Sequence, residues 1–227
     1  MKIKILDAAH LSEKLLHKWG FSDEEAKLIS DTLVDAELCG RKTHGLMRLN
    51  GLKREVELGG INVAPETVAI VKETPVSVLV DGKNKPGFYV INKALELGMA
   101  KVKKSGLVVV GCTNVAPASG MIGHYARVAT ESDLIFIGFN NSSGGLVPHG
   151  SIKELWGTNP LTVGIPSNNL PVILDMSSSQ IPYGKVVLAK VAGEKIPEGT
   201  AIDKDGNLTT DPVAVMNGGG LLPFDGY

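Results

Sequence analysis

The sequence lacks the features that mark several large classes of protein. Aromatic residues make up 5% of its 227 positions, which argues against a protein that stacks nucleic-acid bases. Acidic and basic side chains nearly balance, and the formal net charge of −1 gives no electrostatic footprint for nucleic acid or a membrane surface. No segment approaches the ~18 apolar residues of a membrane span. The first ten residues hold no apolar signal-peptide core.

Cysteine and the common site motifs are also scarce. Cys39 and Cys112 lie far apart and lack C-x-x-C spacing, which predicts a reduced, cytoplasmic protein. The sequence has no H-E-x-x-H and no EF-hand loop, so we predict no metal. It has no G-x-S-x-G elbow, and it has neither phosphate-loop motif, G-x-G-x-x-G or G-x-x-x-x-G-K-[ST]. A dinucleotide would therefore bind on a scaffold other than a Rossmann unit.

The composition that remains is typical of a globular protein. Hydrophobic residues make up 43% and charged residues 21%, and the length allows one large domain or two small ones. Apolar residues recur at helical spacing over residues 11–19, 26–36 and 47–58. Ser22 followed by Glu25 has the spacing of a capping box at the second helix. We therefore predict that residues 1–62 form a helical N-terminal unit, in which Arg41–Gly45 connects the second and third helices.

The periodicity changes after residue 62. Apolar, β-branched runs predict strands at Val68–Val71, Val76–Val80, Leu107–Val110 and Leu134–Phe139, with helices between the later strands. This alternation predicts an α/β (mixed α+β) fold with a mixed sheet over residues 63–227. From residue 203 the chain is rich in turn residues, which is atypical of the end of a domain.

Residues 155–185 contain the clearest candidate for a binding site. Leu161–Ile165 and Val172–Leu174 are predicted to be short buried strands. The polar cluster Gly157–Pro160 precedes the first strand, and Asp175–Ser179 follows the second. Such clusters place hydroxyl and backbone N–H groups at a sheet edge, where a polar ligand can bind. The alternative is a turn-rich segment in which Asp175 and the serines cap the following helix.

His44 is the first candidate for acid–base chemistry. It lies in a polar connection at the start of the third helix, and an imidazole exchanges protons near neutral pH. Arg48, one turn further on, can bind a carboxylate with two hydrogen bonds. The alternative is that His44 caps the helix and Arg48 is a surface charge. The other histidines are weaker candidates or surface residues: His10, His17, His124 and His149.

Three separated motifs, in consistent order, resemble one family. They are Thr43-His44-Gly45 with Arg48, then Gly157-Thr158-Asn159-Pro160-Leu161, then Leu174-Asp175-Met176-Ser177 with Gly184-Lys185. The sequence resembles the malate/L-lactate/ureidoglycolate/sulfolactate dehydrogenase family, whose NAD(P)-dependent members have a non-Rossmann fold of their own. The amino-acid sequences at Asp175–Ser179 and Asp205–Thr209 are most similar to those of the 2,3-diketo-L-gulonate reductase branch.

The resemblance implies a reaction and a set of site residues. The cofactor would be NAD or NADP, and the reaction would be hydride transfer between nicotinamide and C2 of a small 2-keto or 2-hydroxy acid of the malate, lactate, ureidoglycolate or diketogulonate type. His44 would donate the proton, and Arg48 would hold the substrate carboxylate. A homodimer is expected. The residues matching cofactor contacts are Ser142, Thr158, Asn159, Pro160, Pro171, Val172, Ile173, Leu174, Asp175, Met176 and Ser177.

Two departures from the family pattern leave an alternative open. Ala118 stands where many members have a second histidine, so either His44 acts alone or His124 reaches in from the next helix. Members also continue past the residues matching Phe224–Tyr227, so we expect a chain truncated at its C-terminus relative to the family. The alternative function is a non-catalytic or truncated pseudo-enzyme, which binds a cofactor or partner without turnover.

Overall fold

A computed structural model describes residues 3–224 of the protein. Asp225, Gly226 and Tyr227, after which the continuation of the family was expected, lie outside these residues. One turn of 3-10 helix, Lys42–His44, precedes the third α-helix. The α-helices of the described residues are α1 (Ile5–Lys18), α2 (Asp23–Leu38), α3 (Arg48–Glu57), α4 (Gly87–Ser105), α5 (Ile122–Thr130), α6 (Tyr183–Ala192) and α7 (Pro212–Met216).

The strands form three small sheets within the described residues. Strand β2 pairs with β1 in antiparallel and with β3 in parallel orientation, so the first sheet is mixed. Strands β4, β5 and β6 form an antiparallel sheet with β5 at its centre, and β7 pairs with β8. The predicted mixed α/β fold is confirmed. The strands are β1 (Ala69–Thr74), β2 (Ser77–Asp81), β3 (Val109–Thr113), β4 (Phe136–Phe139), β5 (Leu161–Ile165), β6 (Val172–Met176), β7 (Ala201–Ile202) and β8 (Gly220–Leu221).

The chain divides into two compact units. Unit 1 is Met1–Ser132 and unit 2 is Asp133–Tyr227. The boundary predicted after residue 62 falls inside unit 1, and the division into 1–62 and 63–227 stays a prediction. No helix in the described part of the chain is long and apolar enough to cross a bilayer. Residues 3–224 also contain no group of three His, Cys, Asp or Glu side chains that could hold a metal ion.

Several strand predictions were wrong in detail. The strands predicted at 68–71 and 134–139 run from Ala69 to Thr74 and from Phe136 to Phe139. The strand predicted at 107–110 runs instead from Val109 to Thr113, because it pairs residue by residue with Ser77–Asp81. Strand β6 was predicted to be buried, but Val172 and Leu174 are exposed. The reason is the face on which they lie: Val172 and Leu174 share one face of the sheet with Ile165 of the central strand, which is also exposed, whereas the buried Thr162 lies on the opposite face.

A buried ion pair ties α2 to the loop after β2 in unit 1. The Lys85 ammonium lies 2.7 Å from the Glu25 carboxylate, and both side chains are buried. The same ammonium donates to the carbonyl of Ala64 at 2.5 Å. Glu25 also accepts from the backbone N–H of Ser22, which completes the predicted capping box. One carboxylate therefore caps α2 and neutralises a buried cation.

Replacing Glu25 with glutamine tests this double role. Glu25→Gln keeps the side-chain volume and an acceptor for Ser22, but it leaves the Lys85 ammonium buried without a counter-charge. We expect a loss of about 3–5 kcal/mol in the free energy of unfolding, measured by urea denaturation. Asp31→Asn is the matched control, because Asp31 makes an exposed ion pair with Lys27 on the same helix. The control should change stability by less than ~1 kcal/mol. Equal effects of the two variants would contradict the account.

Candidate functional site

In unit 2, the three strands of the second sheet bring polar residues together at one end of the sheet, where β4 and β6 finish and β5 starts. This end is here called the sheet edge. Because β4 and β6 run antiparallel to β5, both end where β5 begins. Leu161, the first residue of β5, pairs with Phe139 of β4 on one side and with Met176 of β6 on the other. The loop after β4, the loop before β5 and the loop after β6 therefore meet. These loops carry the predicted cofactor residues Ser142, Thr158, Asn159, Pro160 and Ser177, and the last two residues of β6 are the predicted cofactor residues Asp175 and Met176.

Ser142 and Asn159 hold two of these loops to each other. The amide oxygen of Asn159 accepts from the backbone N–H of Ser142 at 2.9 Å. The backbone N–H of Asn159 donates to the Ser142 hydroxyl oxygen at 3.4 Å. Asn159 has a positive φ of 26°, a region that asparagine enters more readily than most residues. This reciprocal contact fixes the position of both polar side chains at the sheet edge.

The loop after β6 is fixed in the same way. The backbone N–H and the hydroxyl of Ser178 both donate to the carbonyl of Thr158, at 2.8 and 3.0 Å. Inside the sheet, the buried Thr162 hydroxyl donates to the Asp175 carboxylate at 3.1 Å. The carboxylate of Asp175 is thus oriented from the neighbouring strand.

A small concavity opens at this edge. Its volume is about 250 Å³, and its wall combines hydroxyl and amide groups with apolar surface. The sequence had not singled out Leu161, Ser178, Pro223 and Phe224 as site residues. Ser178 lies inside the polar cluster Asp175–Ser179 that the sequence marks as a candidate site, whereas no local pattern marks Pro223 and Phe224. The lining residues are Asn159, Leu161, Met176, Ser177, Ser178, Pro223 and Phe224.

The remaining predicted cofactor residues lie along β6. Val172 pairs with Ile165 at the far end of the sheet. At about 3.3 Å per residue, that end is ~13 Å from Met176. Side chains alternate along the strand, so Ile173 and Asp175 share one face, and Leu174 lies on the other with Val172. The predicted run from Pro171 to Ser177 therefore follows the whole strand and does not form a single cluster.

In unit 1, the short 3-10 turn presents His44 close to the start of α3. The Thr43 hydroxyl lies 2.9 Å from Nδ1 of His44 and restricts rotation of the ring. Arg48 opens α3, and its Nε donates to the Thr43 carbonyl at 2.7 Å. Burial lowers the pKa of the Arg48 guanidinium from its ordinary value, because a charged group is less well solvated there. The two predicted catalytic residues therefore share Thr43 as a contact.

The other candidates from sequence take different places in unit 1. Nδ1 of His124 lies 2.8 Å from the Asp35 carboxylate, which also binds Arg127. Nothing in the sequence marked this contact, because its partners are 89 positions apart. Ala118 has a positive φ of 81° and packs against the core cluster that contains Phe88. His10 and His17 are exposed, as predicted.

The sequence matches the family described as malate/L-lactate dehydrogenase over residues 3–227. Over 214 residues it is 36% identical to the malate dehydrogenase of Pyrococcus horikoshii, an alignment that covers 94% of this chain and 59% of the relative. It is 38% identical to the L-sulfolactate dehydrogenase of Methanocaldococcus jannaschii over 212 residues, covering 93% of this chain and 61% of that protein.

A solved structure agrees with these sequence matches. The sulfolactate dehydrogenase from Methanocaldococcus jannaschii superposes with a TM-score of 0.88 at 37% identity, over 100% of this chain and 65% of that one. The chain therefore belongs to the malate/L-lactate dehydrogenase family. It spans about three fifths of the length of the curated relatives it matches.

Substitution of Gly157 by alanine tests how tightly the sheet edge is packed. A Cβ at this position would lie 2.1 Å from the Ser142 hydroxyl oxygen and 2.2 Å from the Ser142 carbonyl oxygen. A backbone oxygen cannot rotate away, so Gly157→Ala must displace the loop that holds Asn159. We expect a loss of ~1–3 kcal/mol in unfolding free energy.

Gly51→Ala is the control for that substitution. Gly51 lies in α3 with nothing within 4 Å of the added carbon, so alanine should raise stability by about 1 kcal/mol. Thermal or urea denaturation of both variants gives the comparison. A Gly157→Ala variant as stable as the parent protein would show that the edge is loosely packed.

Proposed function

We propose that the protein is an NAD(P)-dependent oxidoreductase that transfers a hydride between nicotinamide and C2 of a small 2-keto or 2-hydroxy acid. The observation that carries the proposal is the meeting of three strand ends in unit 2, each of which brings residues matched to cofactor contacts: Ser142, Thr158–Pro160 and Asp175–Ser177. Family membership supports the same reaction class. The substrate is of the malate, lactate, ureidoglycolate or diketogulonate type.

The residues at the sheet edge suit part of a nicotinamide cofactor. Hydroxyl groups of Ser177 and Ser178 and the amide of Asn159 supply hydrogen bonds for ribose or carboxamide groups. Leu161 and Met176 supply apolar surface for a ring. Such a combination of a few polar groups with apolar walls is typical of cofactor sites. When bound, the cofactor supplies or accepts the hydride.

His44 and Arg48 would then act on the substrate. In the direction of reduction, the imidazolium of His44 donates a proton to the oxygen on C2 as negative charge develops there. The Arg48 guanidinium binds the substrate carboxylate and so fixes the orientation of C2. Their shared contact with Thr43 keeps the acid and the carboxylate-binding group at a set spacing.

Removing the imidazole tests the proposed reaction. The assay follows NADH or NADPH absorbance with a panel of 2-keto acids. We expect His44→Ala to lower kcat by ~10²–10⁴-fold, as is typical for the loss of a general acid. Cofactor affinity should stay close to that of the parent protein. His10→Ala, an exposed histidine on α1, is the control and should leave kcat unchanged. Parent-like turnover in His44→Ala would overturn the role of His44.

A second candidate function is a non-catalytic protein that binds the cofactor without turnover. The sequence feature behind it is Ala118, whose methyl group cannot exchange a proton and which the resemblance places where a second histidine was expected. In structure this methyl packs against the core of unit 1. Saturable NADH binding by the parent protein with no consumption of any 2-keto acid would favour this function over the enzyme.

We also propose a cytoplasmic homodimer. In support of the compartment, Cys39 and Cys112 are both free thiols on the surface. In support of association, one face of the β4–β5–β6 sheet is apolar and partly solvent-exposed. Exposed apolar faces of this kind commonly mark interaction surfaces. By strand pairing, this face carries Ile137, Phe139, Leu161, Val163, Ile165, Val172, Leu174 and Met176.

Sedimentation velocity tests the oligomeric state. We expect a dimer at micromolar concentration in the parent protein. Phe139→Ser removes the most exposed aromatic side chain of the apolar face, which is 79% exposed, and should shift the equilibrium toward monomer if that face mediates association. Leu58→Ser, an exposed apolar residue after α3, is the control and should leave the dimer intact. A monomeric parent protein would contradict the proposal.

A further inference from the structure

The carboxylate of Glu37 reaches from α2 to the segment that carries His44 and Arg48. Its Oε1 accepts from the backbone N–H of Leu46 at 2.9 Å. Leu46 lies between the two predicted catalytic residues, one position after Gly45. Neither the periodicity of α2 nor the motif around His44 marks Glu37, because the contact joins a helix to a loop nine positions further on.

Gly45 is packed directly against the same carboxylate. A Cβ on Gly45 would lie 2.3 Å from Oε1 of Glu37 and 2.7 Å from its Cδ. The φ of Gly45 is −92°, so glycine is not needed for a left-handed backbone. The Glu37 side chain occupies the space that a methyl group would fill, so alanine at this position must displace the carboxylate from its place.

Backbone hydrogen bonds make this segment one connected unit. His44 N–H donates to Arg41, Gly45 N–H donates to Lys42, and Arg48 N–H donates to Gly45. The hydrogen bond that holds Leu46 therefore also restrains the residues on both sides of it. Anchoring the middle of the segment fixes where the imidazole and the guanidinium are presented.

We propose that Glu37 is a positioning residue for His44 and Arg48. It acts through the Leu46 amide and through its close packing on Gly45, and it does not itself touch the reacting atoms. The inference rests on the proposed function, since it assigns a role within the same reaction. What Glu37 contributes is an oxygen acceptor at a fixed place, so glutamine should replace it and alanine should not.

Steady-state kinetics of three variants test the proposal. Glu37→Ala should lower kcat/KM by roughly 10- to 100-fold, on the scale of the ~10²-fold cost of misplacing a catalytic group by 1 Å. We expect kcat to fall and KM to rise, because the acid and the guanidinium that binds the substrate carboxylate are both displaced when the segment loses its anchor. Glu37→Gln should restore kcat/KM to within about threefold of the parent protein. Glu57→Ala, which removes an exposed carboxylate from α3, is the control and should leave kcat/KM unchanged.

A double-mutant cycle isolates the contact with Gly45. Gly45→Ala should lower kcat/KM in the parent protein, because its methyl group pushes against the Glu37 carboxylate. In a Glu37→Ala background the same change should cost little. Residues in direct contact show couplings on the order of 2- to 150-fold, and we expect the cycle to fall in that range. Additive effects would overturn the packing argument.

Amide hydrogen exchange supplies a measurement that does not depend on turnover. The Leu46 amide should exchange about tenfold faster in Glu37→Ala than in the parent protein or in Glu37→Gln, since its acceptor is lost.

If His44→Ala loses activity while Glu37→Ala keeps it, the positioning role is wrong and the enzyme assignment survives. Damage in Glu37→Gln equal to that in Glu37→Ala would also overturn the role. If the parent protein has no turnover, the proposed function fails, and unchanged Leu46 exchange in Glu37→Ala would then refute the anchoring itself.

Discussion

The pairing of β5 with its two neighbours is the constraint on which the candidate cofactor site depends. Leu161 lies opposite Phe139 and Met176, so the ends of β4 and β6 and the beginning of β5 meet at one edge. A shift of one residue would send Asp175 to the opposite face and break its hydrogen bond with Thr162. Hydrogen bonds between the loops, such as the one from the Ser142 backbone N–H to the Asn159 amide oxygen, then hold these loops to one another.

In unit 1, the irregular segment between α2 and α3, which carries His44, is held in a defined conformation. Helix α2 holds this segment near its C-terminal end, and the helix is itself tied to other parts of the unit at both ends. At its start, Glu25 caps the helix and neutralises the buried Lys85. Near its end, Asp35 binds His124 of α5, and Glu37 binds the backbone beside His44. Three carboxylates on one helix thus connect it to the loop after β2, to α5 and to the segment that carries the proposed acid.

The sequence predicted those features that depend on neighbours along the chain. The capping box of Ser22 and Glu25 and the bounds of β5 are local patterns, and both are confirmed. Exposure of β6 could not be predicted, because it depends on which face of the sheet the rest of unit 2 covers. Contacts such as His124 with Asp35 depend on packing between distant segments. The motifs around His44 and Asp175 did identify the family, but their roles stay predictions.

The most direct test of the account is a titration of the isotope-labelled protein with NADH, followed by the backbone amide resonances. The account predicts saturable shifts at the sheet edge of unit 2, at Ser142, Asn159 and Ser177, with one common dissociation constant. Asn207, in the turn after β7, should report little change. The absence of saturable shifts at the edge, or shifts confined to the surface pocket around Leu28 and His124 in unit 1, would contradict it.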